Sequence, residues 1–456
     1  MTAEVDRAAL LAAAAFRQYA TCPGEARARF LRTIADGIEA LGDGLIDCVS
    51  RETALPAARI AGERARTCMQ LRLFADIADQ GKWNDERVDA ADPARTPPRP
   101  RICSGLRPIG PAAVFAASNF PLAFSVAGGD TAAALAVGCP VVLKAHPAHP
   151  ETSARVGGVV AAAVASCRLP AGTFSVVTGS AHEVGLSLVR HPLIKVGAFT
   201  GSLGGGLALW RAAQARDEPI PFFAEMGSVN PLFVFADALH KNAEAVATGL
   251  HASMTLGVGQ FCTQPGLVFL VADDAAHAFL QRLATLVSAT PCGAMLSETH
   301  AANYRDGVAG RVDTDGVRVL GRGEQADAGR AAGAVLLAVD AETFVTNPRL
   351  ADEIFGPTTL MVTCASTADF VRCAEILPGQ LTATIWCEGD ADRDLLWTLE
   401  QKAGRIVFNG FPTGVEVGAA TMHGGPYPAT TDCRFTSVGT RALSRFVRPV
   451  AWQTPA

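Results

Sequence analysis

The stretch Pro140–Cys167, PVVLKAHPAHPETSARVGGVVAAAVASC, decides the architecture. A short apolar run ending at Lys144 is cut off by prolines, and an alanine- and valine-rich run of helical length follows. Short apolar runs bounded by turn residues read as buried strands, and the longer run reads as the helix that returns across the sheet. The same unit recurs at AAVFAA (112–117), FSVVT (174–178) and IKVGAF (194–199), each leading into a helical segment; Pro121 is expected to open the first of these helices at its first position. Such alternation implies a parallel, doubly wound α/β sheet whose ligands lie beyond the carboxyl ends of its strands. Lys144 ends its strand at that edge.

Working outward, residues 3 to about 73 carry a helical pattern, with Phe30, Leu31, Ile34, Ile38 and Leu41 recurring at spacings of three and four. Residues 87–105, RVDAADPARTPPRPRICSG, have no apolar period and suggest an extended arm. A second mixed α/β region runs from about Val229 to His423 and is expected to begin with a helix. The segment from Phe435 ends in a strand-like run suited to edge pairing, followed by a polar tail. No internal repeat is visible.

The chain has 456 residues, 49 % hydrophobic and 18 % charged, with a formal net charge of -5. Nothing in that balance favours a nucleic-acid backbone or an anionic membrane as a partner, so the ligand is expected to be small. No apolar run reaches the length of a membrane span, and the acids in MTAEVDRAALLAAAAF are unlike a secretory leader, which points to the cytoplasm. The twelve cysteines form no C-x-x-C pair and none sits beside histidine at ligand spacing, so neither disulfides nor a metal are expected.

Three polar residues stand out against apolar surroundings. Cys262 lies in GVGQFCTQPG (257–266), between aromatic, amide and hydroxyl side chains with glycines on both sides. Glu225 lies in FFAEMGSVNP (222–231), where desolvation would raise its pKa and make it a usable base. Asn119 lies in ASNFP (117–121). A thiolate attacks a carbonyl, an amide stabilises the oxyanion, and a carboxylate activates the water that releases the acyl group, so the three together suit acyl chemistry through a thioester. AFTGSLGGG (198–206) is a strand end followed by glycines and a helix, a place where free backbone amides bind a pyrophosphate or make a tight turn. Lys144 suits a ribose or phosphate contact as well as a solvated strand end, and His146 follows it where a carboxylate would exclude a 2′-phosphate.

Taken in order, ASNFP, VVLKAH, FTGS, EMGSVNP, GQFCTQPG and EIFGP resemble the motifs of the aldehyde dehydrogenase superfamily over nearly the whole chain. The resemblance implies two Rossmann-like parallel-sheet domains with a small oligomerisation arm: a cofactor-binding domain from 1–86 and 106–228, a catalytic domain from 229–423, and an arm and tail from 87–105 and 424–456. It implies Cys262 as nucleophile, Asn119 with the Cys262 backbone N–H as oxyanion hole, and Glu225 as general base. Lys144 would hold the adenosine ribose, Thr200, Gly201 and Ser202 the pyrophosphate, and Glu353 and Phe355 the nicotinamide ribose and ring. Phe120, Phe124, Gln260 and Phe261 are expected near the substrate.

SNFPLAFSVAGGDTAAALAVGCPVVLKAHPAHPETS and HGGPYPATTDCRFTSVGT resemble more closely the 2,5-dioxopentanoate (α-ketoglutarate semialdehyde) dehydrogenase branch, which implies an oxo-acid aldehyde as substrate and NADP, with NAD possible, as cofactor. His146 or His182 could meet the 2′-phosphate. A homodimer or homotetramer is implied. Relatives carry several dozen more amino-terminal residues that build a hairpin, so either the true start lies upstream or the hairpin is lost; the chemistry is expected to survive, with solubility and assembly the properties at stake. A variant chemistry, acyl transfer to coenzyme A or oxidation of long-chain aldehydes, is opposed in the first case by the retention of Glu225. Arg434 lies close to the right motifs for a carboxylate anchor, but its position favours a surface role.

Overall fold

The computed structural model describes residues 2–455. Four helices open the chain: α1 (Ala3–Ala20), α2 (Gly24–Ala40), α3 (Gly42–Thr53) and α4 (Ala57–Gln80). Phe30, Leu31, Ile34 and Ile38 of α2 are fully buried, in one cluster with Cys68, Leu71 and Phe74 of α4. Each such side chain withdraws enough apolar surface to contribute about 1.5–3 kcal/mol. The 3.6-residue period seen in the sequence is therefore a packing seam.

The arm follows as β1 (Arg87–Asp89) and β2 (Arg101–Pro108). Next comes a parallel sheet of β3 (Ala112–Phe115), β4 (Val141–Lys144), β5 (Phe174–Val177), β6 (Val196–Thr200) and β7 (Phe222–Glu225), in the order β5-β4-β3-β6-β7. The order reverses at β3, and helices connect the strands, so β3 is buried on both faces and reads as an unbroken apolar run. The carboxyl edge carries Lys144, Thr200 and Glu225.

The helix after β3, α5, spans Gly129–Val137 and does not start at Pro121. The reason is local: the amides of Leu122 and Ala123 donate to Glu63 Oε1 at 2.8 and 3.0 Å, so a carboxylate of α4 takes the backbone groups that a helix would have organised. After β4 the chain turns through His146 into α6 (Pro150–Ser166), with proline at the first position. α7 (His182–Arg190) and α8 (Leu203–Gln214) complete the layer.

The second sheet has seven strands in the order Arg318–Arg322, Val335–Asp340, Thr358–Cys364, Leu267–Val271, Leu232–Val234, Gln380–Trp386 and Ala403–Phe408, parallel except at the first pair. The region begins with the strand Leu232–Val234 and only then the helix α9 (Ala236–Thr255), a correction to the helix expected first; three buried apolar residues are too short a run to show a period. The carboxyl-terminal strand Val447–Thr454 pairs antiparallel with β2, which pairs with β1, closing a three-stranded arm sheet. Residues 424–446, grouped with the tail in the sequence, run back instead along the first sheet: Thr430 bridges Glu225, and Met226 N donates to Ala429 O at 2.8 Å.

Candidate active site

Cys262 is delivered by an uncommon piece of backbone. Gly257, Val258 and Gly259 are all left-handed, with φ of 57°, 58° and 64°. Glycine adopts this freely, but a β-branched valine does so only where its surroundings compel it, at about 1–3 kcal/mol. A Cβ on Gly259 would collide with the backbone of Gly356, so the cysteine loop is pressed against the EIFGP loop. Asn230 Nδ2 secures the far side by donating to the carbonyls of Cys262 and Gln264, both at 2.9 Å. Gln260 belongs to the same scaffold. It is fully buried, its Nε2 donates to Gly257 O at 3.0 Å and its Oε1 accepts from Leu296 N at 2.9 Å, so its side chain is committed to the loop and not to a substrate as expected.

The thiol faces His423, with Sγ 3.4 Å from Nε2, and the same nitrogen is 3.0 Å from Glu225 Oε1. Ser437 Oγ donates to the other oxygen of Glu225, and its amide donates to the His423 carbonyl at 2.9 Å. His423 and Glu225 are nearly inaccessible to water. Burial alone would push Glu225 up, but the imidazole beside it prevails and holds the carboxyl below its ordinary value. This reverses the upward shift expected from its apolar neighbours in sequence. Burial likewise opposes charge on His423, yet Glu225 and Cys262 together raise it to about 10. The sulfur, the imidazole and the carboxylate thus form one electrostatic unit, and their ligand atoms all lie within 4.8 Å of one another, a spacing that would also suit a thiophilic divalent ion. Sequence spacing missed the cluster because 161 residues separate Cys262 from His423. The HGGPYP run carries the histidine, but only the fold turns it toward the cysteine.

Asn119 Nδ2 donates to Gln260 O at 3.1 Å, which sets its amide beside the cysteine loop. Phe120 contacts Phe124 and Phe261 edge-on, each with centroids 5.4 Å apart, forming an aromatic wall next to Asn119. Arg434 is exposed and paired with Asp432 at 2.6 Å.

At the sheet edge, Thr200 and Glu225 are register partners on β6 and β7, and Gly201 N donates to Glu225 O at 3.0 Å. Ser202 caps α8 by accepting from Gly205 N at 3.3 Å. The helix start is open: Gly201, Ser202 and Gly204 are exposed, and Thr200 Oγ1 is buried with no hydrogen-bond partner among the described residues. An open helix N-terminus beside an unpaired hydroxyl fits a dinucleotide pyrophosphate. Lys144 Nζ donates to Ala145 O at 2.7 Å; burial lowers its pKa, and Glu4 of α1 opposes that shift. Glu4 Oε1 accepts from the amide and the hydroxyl of Thr178 at 3.2 and 3.4 Å. His146 stacks on His149 at 5.5 Å, and burial lowers it to about 3, so it offers a neutral imidazole. His182 is exposed at the start of α7. Glu353 is exposed as a residue, but its Oε2 rests over Gly227, where any Cβ would strike it; that tucked position raises its carboxyl. Phe355 lies 6.3 Å from the ring of His300, which in turn meets Ser118 Oγ at 3.5 Å.

Residues 1–427 match the model of the aldehyde dehydrogenase family. The chain is 49 % identical over 455 residues to alpha-ketoglutaric semialdehyde dehydrogenase 2 of Azospirillum brasilense, covering 99 % of this chain and 87 % of that one. It is 44 % identical to alpha-ketoglutaric semialdehyde dehydrogenase of Acinetobacter baylyi, with 99 % and 86 % covered. Its fold is similar to the NAD-dependent aldehyde dehydrogenase of Sinorhizobium meliloti, at a TM-score of 0.82, 23 % identity and coverage of 99 % and 86 %. With a doubly wound cofactor-type sheet, a cysteine on a strained loop and relatives of this kind along its whole length, the chain belongs to the aldehyde dehydrogenase family, whose members are NAD(P)-dependent oxidoreductases.

Proposed function

We propose that the protein oxidises 2,5-dioxopentanoate to 2-oxoglutarate, with NADP preferred over NAD, and that Cys262 is the nucleophile. The observation that carries the chemistry is the contact of Cys262 Sγ with His423 Nε2, itself paired to buried Glu225. The substrate rests on two relatives named for α-ketoglutaric semialdehyde.

His423, already charged through its pairing with Glu225, presents that charge to the Cys262 sulfur, which attacks as the thiolate. The thiolate adds to the aldehyde carbon, and Asn119 Nδ2 with the Cys262 amide steadies the oxygen of the resulting thiohemiacetal. Lys144, Thr200, Gly201, Ser202, Glu353 and Phe355 would hold the nicotinamide dinucleotide, which supplies the acceptor for the hydride that leaves this carbon. The thioester then has a neutral sulfur. His423 is left with Glu225 alone as an opposing charge, so it releases its proton to solvent more easily, and the neutral imidazole, oriented by Glu225, takes one from the attacking water. Collapse of the adduct releases the acid and restores the thiolate beside the imidazolium.

NADP preference is supported by the stretch after Lys144, which carries no acid, and by the engagement of the nearby Glu4 carboxylate with Thr178. We assign 1–86 with 106–228 to cofactor binding and 229–423 to catalysis, and propose that the arm sheet joins copies into a homodimer or homotetramer. No helix of the described residues is long and apolar enough to cross a membrane, and twelve free cysteines suit a reducing cytoplasm, which cell fractionation would test.

The test is kcat/KM for 2,5-dioxopentanoate, succinate semialdehyde and pentanal, each with NADP and NAD, followed by absorbance of the reduced nicotinamide. The expected maximum is 2,5-dioxopentanoate with NADP. A maximum at another aldehyde discards the substrate, and a maximum with NAD discards the cofactor preference.

A further inference from the structure

Arg59, Glu63, Arg66 and Gln70 of α4 recur at spacings of four, three and four, which puts all four on one face of the helix. That face turns inward: Glu63 is 5 % exposed, Gln70 is 2 % exposed, and the Arg59 side chain is 15 % exposed. Two cations and one carboxylate sit there, so the stripe carries an excess of positive charge away from bulk water. Such an excess is unfavourable unless an anion compensates it.

The arginines differ from the others near the cleft in having donors to spare. The Arg59 guanidinium lies 4.9 Å from the centre of the Phe120 ring and 4.7 Å from that of Phe261. Its Nη2 donates to Asn119 O at 2.7 Å and lies 3.8 Å from Glu63 Oε2, while Nη1 is buried with no hydrogen-bond partner among the described residues. Nη1 also stands 3.4 Å from where a Cβ on Gly257 would be, so it faces the cysteine loop. Arg66 Nη1 donates to Val415 O at 2.7 Å, and its buried Nε is equally without a partner. Arg405, by contrast, has its nitrogens occupied by Thr382, Gly414 and Pro412, and Arg311 spends both terminal nitrogens on the carbonyls of residues 349, 350 and 352. Arg59, Arg66 and Arg405 all lie within electrostatic reach of Cys262, and of the three only Arg59 and Arg66 have a buried nitrogen without a partner among the described residues.

We propose that Arg59, assisted by Arg66, binds the carboxylate of the aldehyde substrate while its carbonyl reaches Cys262, so that α4 is the element that selects oxo-acid aldehydes over neutral ones. The proposal rests on the reading of Cys262 as nucleophile and of an acid aldehyde as substrate. Phe120 and Phe261 hold the guanidinium plane between them, which orients the fork that a carboxylate needs. Glu63, fixed by the amides of Leu122 and Ala123, keeps α4 docked to the ASNFP loop.

The test compares 2,5-dioxopentanoate with pentanal, a neutral aldehyde of the same chain length, in Arg59→Gln, Arg66→Gln and Arg59→Lys. The ratio of kcat/KM for the acid over the neutral aldehyde should fall about 30-fold or more in Arg59→Gln, mainly through KM, and less in Arg66→Gln, with partial recovery in Arg59→Lys. A second readout needs no turnover: 2-oxoglutarate should slow alkylation of Cys262 by iodoacetamide in the unaltered enzyme and protect Arg59→Gln far less. An unchanged ratio, or equal loss on both aldehydes, would assign Arg59 to support of Asn119 and overturn the proposal. If the unaltered enzyme oxidises pentanal but not 2,5-dioxopentanoate, the substrate reading falls on its own, and the protection assay still judges the anion site, absence of protection overturning it. Arg59→Lys and Arg66→Gln keep a cation on α4, so a failure of Arg59→Gln to fold leaves the comparison intact.

Discussion

An imidazole placed between a carboxylate and a thiol can lower the energy of two anions at once, and His423 occupies that place. In the fold it keeps its proton up to about pH 10, whereas an unfolded histidine loses it near about 6.5. Its contribution to stability is therefore complete below about pH 6.5 and is lost as pH rises through the folded value. Glu225 behaves in the opposite sense: its folded pKa is lowered, so its contribution is present above about pH 4.3 and lost on acidification. Melting temperature measured from pH 6 to 10 at fixed ionic strength should fall more steeply in the unaltered protein than in His423→Asn, by a few degrees over the range. Equal slopes would remove the ion pair from the account. The same variant should lose about 100-fold or more in kcat/KM, the usual contribution of a proton carrier. Asn119, Glu225 and Cys262 stand out in the sequence as polar side chains in apolar runs, and the fold brings Glu225 and Cys262 to one imidazole. His423 and Arg59 do not stand out, since a histidine beside two glycines and an arginine in an ordinary helical stretch carry no local signal; only the long-range packing gives them partners.

At the scale of elements, the βα units were readable because a buried parallel strand is an apolar run with turn residues at both ends, and Val141–Lys144 followed by Pro150–Ser166 has that form. What the sequence misjudged depended on contacts from elsewhere. The Pro121 segment lost its helix to Glu63 of α4, and residues 424–446 left the tail to lie along β7. The arm shows the same dependence, since β2 and Val447–Thr454 find each other across more than three hundred residues. Arg107 stacks on Trp452 at 4.5 Å on this sheet, and Trp452 and Val88 remain exposed, 43 % and 60 %, which gives the arm the exposed apolar face on which the proposed contact between copies would rest. Val88→Glu with Trp452→Glu should shift the mass measured by light scattering toward the monomer while the circular dichroism spectrum is kept. An unchanged oligomer would locate the contact between copies on another surface.

For the whole molecule, one sheet presents the cofactor-type edge, the other presents the strained cysteine loop, and the returning segment from His423 to Ser437 ties Glu225 of the first sheet to Cys262 of the second. In the proposed reaction an acyl group passes through Cys262 and leaves by attack of water that the Glu225–His423 pair activates. The most direct test is intact-mass and peptide mass spectrometry of Glu225→Gln after mixing with 2,5-dioxopentanoate and NADP. The expected product is an adduct on the Cys262 peptide with the mass of the substrate less two hydrogens, accumulating as a burst of reduced nicotinamide appears. Reduced nicotinamide without that adduct, or an adduct on another cysteine, would contradict it.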